Sequence, residues 1–191
     1  MLILVRHGRT EANAAGLLQG RMDNPLDHLG EAHSRAVAKA LAPPDLVISS
    51  PLRRAVQTAE AFGRPVTTDE RWLELDYGAL DGQPVSSVGA DVWARWRADP
   101  SFVPAGGESL LDVSERVMTA CQELLELAAD RTVVVVSHVS PIKAAVAWAL
   151  GGGPESAWRS HLDQASITRI GITANGPVLR SFNETAHLID C

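Results

Sequence analysis

Four groups of side chains in this sequence could handle an anion: Arg6-His7-Gly8, Arg53-Arg54, Glu74 and His138. An imidazole can serve as nucleophile or base and a carboxyl as acid, while a guanidinium fork matches phosphate or carboxylate oxygens. Two arginines together imply an oxyanion with several oxygens. The chemistry open to such a set is group transfer at a phosphate-like centre. Each piece also has a bland reading. Arg6 could be a strand-end cation, His7 a surface residue, and Arg54 a solvated charge like its neighbour. The decision falls to the elements that carry them.

Leu2 to Val5 is a short, wholly apolar run, the pattern of a strand buried on both faces, and it stops at Arg6-His7-Gly8. Gly8 has no side chain to keep a ligand off the backbone. Leu46 to Ile48 reads as a second strand. The Ser49-Ser50-Pro51 that follows predicts an N-cap and a first-turn proline for a helix over 52–62. Arginines at that positive helix end are unfavourable unless solvated or facing an anion. Thr132 to Val136, with four consecutive valines, is the clearest strand and runs into Ser137-His138. If these strands are parallel, their carboxyl ends share one edge, where open α/β sheets bind ligands. Glu74, in the carboxylate-rich stretch 72–82, could reach that edge. Asp76 is its rival, and Glu74 is preferred on the expectation that the spacing puts Asp76 on the opposite side if the segment is extended.

The remaining chain supplies the scaffold. Thr10 to Gly20 reads as a loop or short helix. A helical stretch follows Pro25-Leu26 through Leu41, with His28 and His33 on an exposed side. Pro65 to Thr68 is a third strand. Residues 83–107 have poor periodicity and read as a small cap-like insertion over the active-site edge of the sheet. Trp72, Trp93 and Trp96 would either wall a pocket or sit in the core. Ser109 caps an amphipathic helix through Ala128, and a helix from about Ile142 ends at Gly151. Ser166 to Ile172 and Val178 to Phe182, joined through Asn175-Gly176, read as a hairpin. The expected fold is α/β: one domain over 1–191, a three-layer sandwich with a mostly parallel central sheet and helices on both faces.

Composition narrows the function classes. The 191 residues carry 17 Lys and Arg against 23 Asp and Glu, a net charge of −6, with no basic stripe, so nucleic acid is not an expected partner. No apolar run nears the roughly 18 residues that span a bilayer, so no membrane partner is expected. Cys121 and Cys191 suggest neither a disulfide framework nor a metal pair, and with no signal-peptide pattern the expected location is cytoplasmic. No glycine-rich phosphate loop or dinucleotide fingerprint occurs, and Gly151 to Gly153 follows a helix. Ser140-Pro-Ile-Lys143 matches one motif of serine acyl-transferases without its partner motifs. The histidines lack metal-ligand spacing, so neither metal nor cofactor is expected.

Several segments together resemble the histidine phosphatase superfamily, the phosphoglycerate-mutase-like proteins. They are Leu-Val-Arg-His-Gly-Arg-Thr at 4–10, Ser-Ser-Pro-Leu-Arg-Arg-Ala-Val-Gln-Thr-Ala at 49–59, Glu-Leu-Asp-Tyr-Gly-Ala-Leu-Asp-Gly at 74–82, Gly-Gly-Glu-Ser at 106–109 and Val-Val-Ser-His at 135–138. The resemblance implies that His7 is a nucleophile phosphorylated during turnover. Arg6, Arg54 and His138 would bind the phosphoryl group, Glu74 would protonate the leaving group, and Asn13 and Gln19 would help hold phosphate or substrate. Those roles are physically coherent. Arg6 and Arg54 would keep His7 neutral, its second ring nitrogen should donate to a backbone carbonyl, and an approaching dianion favours a protonated Glu74. Arg9 departs from the family pattern and would add positive charge near the entrance. Val139-Ser140-Pro141 and Asn-Glu-Thr-Ala-His-Leu at 183–188 look more like the acid phosphatase and α-ribazole-phosphatase-like subgroup. The expected activity is metal-independent hydrolysis of a small phosphomonoester, by a monomer or a homodimer. A phosphomutase would want adjacent basic residues in the insertion, where only Arg95 and Arg97 stand. A non-catalytic phosphate-binding module would need neither nucleophile nor acid.

Overall fold

A computed structural model of the chain describes residues 1–189. Strand β1 (Leu2–Arg6) is buried along its whole length, as a strand without polar alternation must be when both faces are covered. Then come α1 (Glu11–Ala14), α2 (His28–Ala40), β2 (Leu46–Ser49), α3 (Arg53–Glu60) and β3 (Val66–Thr68). Short 3-10 turns at Glu70–Trp72, Gly78–Leu80 and Val85–Ser87 lead to α4 (Ala90–Ala98) and the long α5 (Leu110–Asp130). Strand β4 (Val133–Ser137), α6 (Val139–Leu150), a 3-10 stretch at Pro154–Arg159, and the strands β5 (Ile167–Thr173) and β6 (Gly176–Glu184) follow.

The six strands are ordered β3-β2-β4-β1-β5-β6. The β3-β2, β2-β4 and β4-β1 pairs are parallel, whereas β1-β5 and β5-β6 are antiparallel. Arg6 stands opposite Ser137, and both Val5 and Ser49 stand opposite Val136. The chain therefore leaves β1, β2 and β4 at one level of one edge. Alternate strand residues divide the core. Leu2, Leu4, Val133 and Val135 pack with α5 and α6, while Ile3, Val5, Val134 and Val136 pack with α2 and α3. Helices thus cover both faces.

Three local expectations change. The helix after β2 is capped at Leu52, not at the serines, and Leu52 makes no side-chain cap bond. Asp23 supplies the acceptor instead, taking the Arg53 N–H at 2.7 Å. Helix α6 starts at Val139 rather than near Ile142, because a proline in the first turn has no N–H that the helix needs. Residues 83–107 contain a real helix, α4, whose Trp96 is completely buried beside Trp93, Phe102 and Trp158. Trp72 is also core. Cys121 is a buried free thiol on α5, and Cys191 lies outside the described residues.

Gly8 serves packing. A Cβ there would sit 2.4 Å from the Gly30 carbonyl oxygen, and one on Gly30 would sit 2.0 Å from that of Arg9. The loop that carries His7 is therefore pressed against the first turn of α2. Gly30→Ala is expected to destabilise the fold by roughly 1–3 kcal/mol, through a backbone shift that lowers the thermal unfolding midpoint.

Candidate active site

His7 is fixed by main chain on both sides. Its N–H donates to Ser137 at 3.0 Å, and its carbonyl accepts from Ala165 at 3.1 Å. The ring is held too, with Nδ1 2.7 Å from the Gly8 carbonyl oxygen. A carbonyl only accepts, so this contact assigns the proton to Nδ1 and leaves the Nε2 lone pair free. The imidazole is pushed well below its ordinary pKa, first by burial and then by the charges of Arg54 and Arg6. Burial outweighs the arginines, which sequence reasoning had made the cause.

The two guanidiniums are buried without a carboxylate in contact, Glu74 acting on both only from a distance. Arg6 Nη1 donates to Leu162 O at 2.6 Å. Arg54, 1% exposed, donates from Nη1 to Met22 O at 2.6 Å and from Nη2 to Gly20 O at 2.9 Å. Both Nε atoms are buried with no partner. Among the described residues neither arginine forms an ion pair. Burial lowers the pKa of both, that of Arg54 to about 10, and a guanidinium keeps its proton in a folded protein. Neutral carbonyls orient such charges without cancelling them, so the site keeps an excess of positive charge beside Glu74. Arg53, by contrast, is exposed.

His138, the N-cap residue of α6, is wholly buried with its ring centroid 5.1 Å from that of His7. Its Nε2 is 2.8 Å from Ser50 Oγ, and its Nδ1 has no partner. It is not among the residues that wall the cavity, which include Arg6, His7, Gln19, Arg54, Glu74 and Tyr77 around about 270 Å³. Asn13 also lines it, with Oδ1 accepting from the Thr10 N–H at 3.2 Å. Gln19 Oε1 accepts from Thr10 Oγ1 at 2.9 Å. Both amides therefore present their NH₂ ends as the spare donors.

Glu74 is gripped by backbone. Oε1 accepts from the N–H groups of Leu75 (2.9 Å) and Ser140 (3.0 Å), and Oε2 from that of Val139 (3.0 Å). Its own carbonyl accepts from Arg21 Nε at 3.0 Å and Arg116 Nη2 at 3.4 Å, and both arginines are anchored on Glu108. Asp76 is spent on the Gly78 N–H at 2.8 Å and is not on the cavity wall. Arg9 is paired with Asp27 at 2.7 Å and stands off the cavity, so it brings no free charge to the entrance. Lys143 Nζ donates to the Ala157 and Ser160 carbonyls, which leaves it no part as a base for Ser140. Sequence reasoning missed Tyr77, Arg21 and Glu108. Glu108 lies inside the quoted Gly-Gly-Glu-Ser segment, which was its only signal.

His138 is likewise held well below its ordinary pKa, by burial first and then by Arg54, His7 and Arg6. An unfolded chain protonates these histidines near 6.5, so below that pH it binds more protons than the native state and stability falls. The contribution is complete above about pH 6.5 and is lost as pH drops toward the depressed folded-state values. The denaturant midpoint is expected to fall between about pH 7 and 5, and to fall less in His7→Asn.

The family model described as histidine phosphatase superfamily (branch 1) matches residues 2–185. The chain is 35% identical to a bifunctional protein of Mycobacterium tuberculosis over 98% of its own length and 54% of that protein, about half of the relative. It is 34% identical to phosphoserine phosphatase 1 of Hydrogenobacter thermophilus, covering 98% of this chain and 93% of that one. Among solved structures it is similar to phosphoserine phosphatase of Entamoeba histolytica in complex with 3-phosphoglyceric acid. That match has a TM-score of 0.91 and 30% identity, and covers 98% of each chain.

Proposed function

Because the chain belongs to the histidine phosphatase superfamily (branch 1), we propose that it hydrolyses small phosphomonoesters through a phosphohistidine on His7. The observation that carries this reading is the pair of buried, unpaired guanidiniums beside an imidazole whose Nε2 is free. Nε2 attacks phosphorus, the N–P bond forms and the bond to the alcohol oxygen breaks. Glu74 gives that oxygen its proton. Water then attacks phosphorus and returns a proton to Glu74, the N–P bond breaks, and inorganic phosphate leaves. Arg6, Arg54 and the NH₂ groups of Asn13 and Gln19 would stabilise charge on the transferring oxygens, while His138, off the cavity wall with its Nε2 against Ser50, packs against the His7 ring.

With two fixed cations serving the phosphoryl group, no dissociable metal is required. Turnover of 4-nitrophenyl phosphate is expected in the presence of EDTA. Absence of turnover from about pH 5 to 8 would overturn the assignment and favour a binding module.

The phosphomutase reading is weaker. Arg95 and Arg97 are exposed and engaged with the faces of Phe102 and Trp158, at 4.5 and 5.7 Å, and neither lines the cavity. A second anionic group of a substrate would lack cations there. The buried free thiol of Cys121 suits a reducing, cytoplasmic setting. A homodimer would have the exposed Leu111 and Met118 as apolar surface, and sedimentation velocity reads that directly.

A further inference from the structure

Beside the cavity that His7 lines is a second one of about 140 Å³, walled by Leu75, Trp93, Leu110, Ala157 and Trp158 and by Tyr77 and Val139, which line both. It lies on the Glu74 side of the site. Val139 and Ser140, which line this cavity, are the residues whose N–H groups hold the Glu74 carboxylate at 3.0 Å. An oxygen that takes a proton from Glu74 must come within hydrogen-bond reach of it. Glu74 lines the first cavity, and whatever that oxygen carries can extend past Tyr77 and Val139, the walls common to both, into the second.

We propose that this apolar cavity receives the body of the leaving alcohol, so that the preferred substrates are phosphomonoesters of alcohols bearing a ring-sized apolar group near the ester oxygen. The assignment rests on Glu74 being the proton donor to that oxygen. Volume supports it, since an apolar cavity of about 150 Å³ is enough to bind benzene. The walls are also built in advance. Trp93 stacks on Trp96 at 5.7 Å and meets Trp158 edge-on at 6.0 Å. Lys143 Nζ ties α6 to the 3-10 stretch behind it, donating to Ala157 O at 2.9 Å and Ser160 O at 2.6 Å. Lys143 also lines the cavity, but its Nζ is committed to those two carbonyls, so a ring entering the ordered cavity loses little further entropy, whereas a polar alcohol there replaces few of its hydrogen bonds to water.

Ethyl and 2-phenylethyl phosphate test this, because both leave as primary alkoxides and differ only in the group offered to the cavity. The kcat/KM for 2-phenylethyl phosphate is expected to exceed that for ethyl phosphate by about tenfold or more. A naphthylethyl ester, too large for the space, is expected to fall back toward the ethyl value. Ala157→Phe, which fills the cavity, is expected to bring the phenylethyl-to-ethyl ratio close to one, with ethyl phosphate turnover reporting that the variant is folded. The size cut-off needs no variant and stands if Ala157→Phe proves unstable. Equal kcat/KM for the ethyl and phenylethyl esters, a naphthyl ester as good as phenylethyl, or a ratio untouched in folded Ala157→Phe would overturn the assignment alone. No turnover of any ester would overturn the phosphatase reading, and this one with it.

Discussion

Replacing His7 by alanine is expected to lower phosphomonoester turnover by on the order of 10⁴- to 10⁶-fold, the scale on which nucleophile deletions operate. The loss is chemical, because the His7 backbone bonds to Ser137 and Ala165 do not involve the ring. No other side chain on the cavity wall offers a free, neutral nitrogen lone pair. His138 is 5.1 Å away by ring centroid, yet it is wholly buried off the cavity wall and has its Nε2 against Ser50. The arginines still bind phosphate in the variant, so inorganic phosphate should remain an inhibitor of measurable affinity in a competition or calorimetric assay. Retention of more than a tenth of wild-type turnover would mean that another group attacks phosphorus.

Glu74→Gln is the second large effect, and it depends on the substrate. With an alkyl phosphate the leaving alkoxide needs a proton, and the expected loss is about 10²- to 10⁴-fold in kcat. With 4-nitrophenyl phosphate the leaving phenolate is stable unprotonated, and the loss is expected to be roughly tenfold or less. Glutamine keeps the size of the side chain but offers one acceptor oxygen to the three N–H groups of Leu75, Val139 and Ser140, so some loss of order at the α6 terminus accompanies it. That structural cost should fall on both substrates alike, which makes the ratio between them the informative number. Asp76→Asn, altering a group held by the Gly78 N–H, should leave the ratio at its wild-type value. Equal losses on both esters in Glu74→Gln would remove Glu74 from the proton-donor role.

Much of the frame was legible because its residues carry local signals. The apolar runs that became β1 and β4 have no polar alternation, and burial on both faces is the one arrangement that tolerates this. Ser109 caps α5 through a bond from the Asp112 N–H, and Gly151 ends α6 in the left-handed conformation. What was not legible depends on partners distant in sequence. The α3 cap comes from Asp23, thirty residues upstream of Arg53. Helix α4 buries little besides Trp96 along its length, so its apolar periodicity is weak and only the aromatic cluster around that ring reveals it. Arg9 looked like a free charge because Asp27 pairs with it only once α2 has folded against the loop.

The site divides the same way. That His7, Arg54 and His138 could converge followed from strand ends sharing an edge, a topological argument that needs no side-chain detail. Separating Glu74 from Asp76 did not follow from spacing, since residues two apart share a face of an extended segment. The turn at Tyr77-Gly78 and the α6 N-terminus separate them, by taking Asp76 for one N–H and Glu74 for two of its three. The Glu108 network behind Glu74 joins residues 21, 74, 108 and 116, and no local pattern announces contacts that long.

Trapping the phosphorylated enzyme addresses the mechanism most directly. Protein mixed with a phosphomonoester, quenched in base within a turnover and digested for mass spectrometry, should carry an acid-labile, base-stable phosphate on His7. The nitrogen should be Nε2, because Nδ1 holds its proton against the Gly8 carbonyl. Phosphate found on Ser140, or no His7 adduct under conditions where hydrolysis is burst-limited, would contradict the assignment of His7 as nucleophile.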